Sequence, residues 1–168
     1  MDLFASFVGF VVALFFLAVF LGIVAAIVGT AGYQMGAKVP NLGSAAAATS
    51  TLGLGALAGS LVALFLAYLI GGYAAGRSAR YAGTGNGFAV VVWTVVVAII
   101  LAVLGAIFGN RFNVADQLHL SINTQALTVA GIVSLVVTLV VMLIGAILGG
   151  ALGSHYHRQI DREVGAPR

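Results

Sequence analysis

His155, His157 and Asp161 are the side chains whose types first suggest chemistry, since imidazole and carboxylate groups serve as metal ligands and as general acids or bases. If the stretch is helical, His157 and Asp161 share a face at i, i+4, while His155 and His157 point about 200° apart. A metal centre needs three or four converging ligands. Two are on offer here, so neither a metal nor a cofactor is expected. His119 stands alone in a loop. The chain has no cysteine, which removes disulfides, thiolate metal sites and cysteine nucleophiles. Thr94, Ser134 and Thr138 are the main polar groups within apolar runs, where a hydroxyl commonly bonds back to its own helix. No nucleophile stands beside a base in those runs. The sequence does not read as an enzyme.

Glycine is the residue whose spacing carries more. It recurs at intervals of four at Gly32/Gly36, Gly55/Gly59, Gly72/Gly76, Gly105/Gly109 and Gly145/Gly149/Gly153. Residues four apart share a helix face, so each set makes a flat strip along which a second backbone approaches closely. Two readings follow. Either the strips join the helices of one subunit, or one strip, Gly145/Gly149/Gly153 foremost, faces a second subunit as a glycine zipper.

The elements that carry these residues follow from composition. Of 168 residues, 62% are hydrophobic and 7% charged, with mean hydropathy +1.18. Soluble domains have about 45–50% apolar and about 25% charged residues, and so few charges cannot cover a water-facing surface. Lipid must be the solvent. A spanning helix needs about 20 apolar residues, so the chain holds four of them in a single all-α transmembrane domain covering 1–168. The helices are expected near 3–36, 51–77, 87–109 and 125–163. The first uncharged run, Leu3 to Val28, is longer than a signal-peptide core and lacks a basic flank, so it reads as a retained anchor. Lys38-Val39-Pro40-Asn41 breaks the chain after it. Tyr81 to Gly87 is rich in glycine and reads as an irregular link between the second and third helices.

Arginine and lysine set the orientation. Arg77, Arg80, Arg158, Arg162 and Arg168 fall on one side and Lys38 and Arg111 on the other, five against two. The positive-inside rule puts the five, and both termini, in the cytoplasm. Arg77, Arg80, Arg158 and Arg162 then meet anionic lipid headgroups, each contributing about 1 kcal/mol of attraction. The net charge of +3 and pI near 9.7 come without the basic, aromatic-interleaved surface that nucleic acid requires, so no nucleic-acid partner is expected. Matching residues recur at a spacing of 78, with Gly9-Phe10 on Gly87-Phe88, Gly71-Gly72 on Gly149-Gly150 and Arg80 on Arg158, as two hairpins in parallel repeat would give.

Gly71-Gly72-Tyr73-Ala74-Ala75-Gly76-Arg77 at the end of the second helix, followed by Gly87 and Trp93 in the third, resembles a group of small four-helix bacterial membrane proteins common in actinobacteria. In that group a Gly-Gly-Tyr-x-Ala-Gly-Arg motif closes helix two. The resemblance implies a four-helix fold in a bacterial inner membrane, and it brings no reaction, substrate or cofactor.

The function expected from the residues is non-enzymatic: an integral membrane protein acting by helix association through its glycine-rich faces, with itself or with a larger membrane complex. The alternative is a small channel or transporter subunit that encloses a pore only as an oligomer. A membrane enzyme using the His155–Asp161 region is the weakest reading. The topology is tested by thiol labelling. Ser78→Cys is expected to react only with reagent supplied to the cytoplasmic face and Asn41→Cys only from the opposite face; reaction of both from one side contradicts the four-span reading.

Overall fold

The computed structural model describes residues 2–34, 51–79, 82–112 and 129–163, with the side chains of 51–52, 106, 108–112, 129–131 and 156–163 outside the described set. It is all helical: α1 is Leu3–Gln34, α2 Thr51–Ser78, α3 Gly83–Phe112 and α4 Val129–Glu163. Each contains a stretch long and apolar enough to cross a membrane, at Leu3–Gln34, Gly53–Ser78, Gly83–Gly105 and Ile132–His155. Helix is the form such sequences must take in lipid, because every backbone N–H and C=O has to be satisfied within the segment.

The third helix starts earlier than expected. Gly83, Gly85 and Gly87 lie inside α3 rather than in an irregular link. The physical reason is contact with α4. A Cβ at Gly83 or Gly87 would strike the carbonyl of Gly150 or Ala146, so the absent side chains let this first turn lie directly on α4. Ahead of it Ala82 takes φ 59°, the left-handed region that alanine seldom occupies. Its carbonyl accepts from Asn86 N–H at 3.0 Å and closes the first turn.

The beginnings of α1 and α3 and the ends of α2 and α4 come together at one end of the bundle, here called the arginine end for Arg77. Asp2 caps α1 there: its Oδ1 accepts from the N–H groups of Phe4 at 3.0 Å and Ala5 at 3.3 Å. Its own N–H donates to Oδ1 of buried Asn86 at 2.9 Å, tying the start of α1 to the start of α3. Helices α2 and α4 run parallel, with α1 and α3 antiparallel to them. Both α2 and α3 touch every other helix, whereas α1 and α4 do not meet among the described residues. The section is therefore a rhombus with α2 and α3 on its short diagonal.

The core draws evenly on all four: Phe10 and Ala13 from α1, Tyr68 and Ala75 from α2, Val90 and Val91 from α3, Met142 and Ala146 from α4. Phe7 of α1 packs edge-on against Trp93 of α3, ring centroids 5.2 Å apart. One polar tie crosses the core. The Thr94 hydroxyl donates to Val90 O at 3.0 Å, which leaves its oxygen to accept from the buried Tyr68 hydroxyl at 2.8 Å. Hydrogen bonds between membrane helices contribute about 0.6 kcal/mol on average and up to about 1.7. Tyr68→Phe is accordingly expected to lower stability by about 1 kcal/mol in reversible unfolding from mixed micelles. A loss above about 3 kcal/mol would show that the hydroxyl does more than bridge α2 to α3.

Candidate functional site: the glycine crossing of helices two and four

The motif at the end of α2 is built to meet two helices at once. Gly71 points to α1, where a Cβ would lie 2.6 Å from both Ala13 Cβ and the Gly9 carbonyl oxygen. Gly72 and Gly76, one and five residues on, point to α4, where a Cβ would strike the carbonyls of Ala146 and Gly150. Tyr73 and Arg77 lie on the exposed side of the same turns, and Arg77 Nη1 donates to Tyr73 Oη at 3.0 Å. The motif thus splits its glycines between α1 and α4 and leaves Tyr73 and Arg77 outside.

Helix α4 answers in kind. A Cβ on Gly145 would meet Phe65 O at 2.7 Å, one on Gly149 would strike Leu69 O and one on Gly153 would meet Arg77 N at 2.8 Å. Backbone lies on backbone over more than two turns. Of the two readings of Gly145/Gly149/Gly153, the structure shows the strip turned inward onto α2, so it is not free to face a second subunit. The crossing is also close to symmetric. Exchanging α2 and α4 carries Gly72 to Gly149, Leu69 to Ala146, Gly76 to Gly153 and Tyr73 to Gly150, a constant displacement of 77 residues. That relation sits within one residue of the spacing of 78 in the sequence.

The other sequence-selected residues fall in different places. Gly59 packs on α1, where a Cβ would lie 3.0 Å from Val24 Cγ1. Among the described residues nothing lies within 4 Å of a would-be side chain at Gly55. Arg80 lies outside the described residues. Arg158 and Arg162 are on the helical backbone of α4 beyond Gly153, their side chains outside the described set. His155 is exposed on α4, and the side chains of His157 and Asp161 are likewise outside the described set. Among the described residues no three His, Asp or Glu side chains converge.

Sequence reading passed over several parts of the site. Gly150 works on a different helix from its neighbour Gly149: it faces α3, where its Cβ would strike Gly83 O. A period of four picks out one face at a time, and the Gly149-Gly150 pair was the available signal that two faces are used. Gly9 and Ala13 make the matching contact on α1. Asn86 reads as a turn residue in a glycine-rich stretch, and only the fold reveals it as the buried acceptor for Asp2.

Fold and site together define a multi-pass, all-α membrane protein whose helices are joined through glycine. Compared with family models, with curated proteins and with solved structures, the chain matches none.

Glycines at the crossing and glycines on the outside respond oppositely to one methyl group. Gly72→Ala and Gly149→Ala are expected to destabilise by about 1–3 kcal/mol, the range for overpacking, because the obstructing atoms are backbone. Gly55→Ala and Gly105→Ala, with nothing within 4 Å, are expected to stabilise by up to about 1 kcal/mol through helix propensity. Equal effects at the four positions, read from unfolding in micelles, contradict the packing described here.

Proposed function

We propose that this chain is a non-enzymatic integral membrane protein of a bacterial inner membrane that works by helix association, with copies of itself or as a subunit of a larger membrane complex. The supporting observation is a small-residue strip that no other helix covers among the described residues. Ala18, Gly22, Ala25 and Gly29 share one face of α1; the first three are exposed, and the would-be side chains of Gly22 and Gly29 meet nothing within 4 Å. Ala98, Ala102 and Gly105 repeat the pattern on α3 at a displacement of 80 residues, again exposed. Inside the bundle, strips of this kind hold helices together. Outside it, the same geometry suits a partner helix.

In this reading Arg77, Arg80, Arg158 and Arg162 set the orientation, with both termini in the cytoplasm and guanidinium groups against anionic headgroups. A pore, the alternative, would have to lie between copies, since glycine contacts close the space between α2 and α4 within one chain.

A photo-crosslinking residue at Ala25, used in native membranes, tests the proposal. It is expected to give a discrete protein adduct, at twice the monomer mass for self-assembly, that disappears in Gly22→Leu while the variant keeps its thermal stability. The same probe at Val133 on α4 is expected to capture lipid. Lipid capture alone at both positions would reject association through α1.

A further inference from the structure

The packing is uneven along the bundle. At the arginine end α3 is buried at Gly83, Asn86, Gly87 and Val90, and among its described side chains the last half-buried one is Val97. From Ala98 through Gly105 every residue is exposed. A helix packed on a neighbour buries a residue at least every three or four positions, so a run of more than two turns with none has all faces open. Helix α4 shows the same from Ile132 through Val137, and becomes half-buried at Thr138 and Leu139. The register of Gly87 on Ala146 and Gly83 on Ser154 puts these two open runs at the same depth. Across from them α1 and α2 remain joined at Val24 and Gly59.

We propose that the bundle is hinged at Val97 and Leu139, with a rigid arginine end and with the far halves of α3 and α4 swinging apart and together in the opposite leaflet. In lipid no hydrophobic force draws helices together; close packing and polar bonds do. The arginine end has both. Among the described residues the last polar tie between helices is Tyr68 to Thr94, one turn before the hinge, and beyond the hinge, residues 98–105 of α3 and 132–137 of α4 are all exposed. The open runs carry mainly apolar side chains, Ile99, Leu104, Val133 and Val136 among them, all exposed, so acyl chains rather than water fill the space beside them. A leaflet's thickness then biases the angle, because each half-helix matches its length to the hydrocarbon by tilting.

The chain has no cysteine, so introduced thiols label uniquely. Spin labels at Ile99→Cys with Leu135→Cys report the far halves, and labels at Thr84→Cys with Leu152→Cys report the arginine end; all four native residues are exposed. Distances are measured by pulsed electron resonance in nanodiscs holding one copy, of dimyristoyl or dierucoyl phosphatidylcholine, so the result is independent of association. The arginine-end pair is expected to give one narrow distribution, the same in both lipids. The far pair is expected to be clearly broader and to shift its mean between the lipids. A far distribution as narrow as the near one, or one that ignores acyl length, overturns the hinge.

Discussion

The structure depends on backbone meeting backbone where α2 crosses α4. Gly72 and Gly76 of one helix, and Gly145, Gly149 and Gly153 of the other, lie against carbonyl and amide groups with no side chain between. In water such a contact would be one contribution beside a much larger hydrophobic one. In a bilayer the lipid tails are as apolar as leucine, so burying leucine against leucine gains little. Dispersion between atoms in contact and weak Cα–H···O bonds are what is left, and both fall steeply with distance. A glycine crossing brings the largest number of backbone atoms within that range.

The other features follow from where this crossing sits. It occupies the arginine end, where Asn86, Ser6 and Ser154 are buried, Asn86 accepting from the exposed Asp2 and each serine hydroxyl donating back to its own helix. Helix α2 uses one face for α1 through Gly71 and another for α4 through Gly72 and Gly76, which makes it central. Away from the crossing the side chains of α3 and α4 become larger and more β-branched, and residues 98–105 and 132–137 are all exposed, while α1 and α2 still meet at Val24 and Gly59. A packed end and an open end in one bundle are the result of where glycine was placed along each helix.

Much of this was legible in the residues, and the exceptions have physical causes. Uncharged runs of helix length show four spans because a helix is the form that satisfies a lipid-exposed backbone within one segment. The interval of four shows that Gly72, Gly76, Gly145, Gly149 and Gly153 form strips, but spacing does not say what lies opposite. It could not tell that Gly145 to Gly153 turn inward onto α2 while Gly55 meets none of the described residues. Glycine at 83, 85 and 87 looked like a break in structure, as it would in water; here it is what allows α3 to begin on the surface of α4. Tyr68 and Thr94 are far apart in the chain and meet only through the register that the crossing sets. The arginines are counted from sequence for orientation, and of the four only Arg77 has a described side chain, held by Tyr73.

The most direct test is the separation of the two backbones at the crossing. In protein labelled with 13C at glycine Cα and alanine carbonyl positions and reconstituted in lipid, solid-state NMR distance measurement is expected to show Gly72 Cα in contact with the Ala146 carbonyl, about 4 Å or less. Helix axes held about 8–10 Å apart by side chains, as in ordinary helix packing, would leave that pair without a through-space signal and would contradict the account.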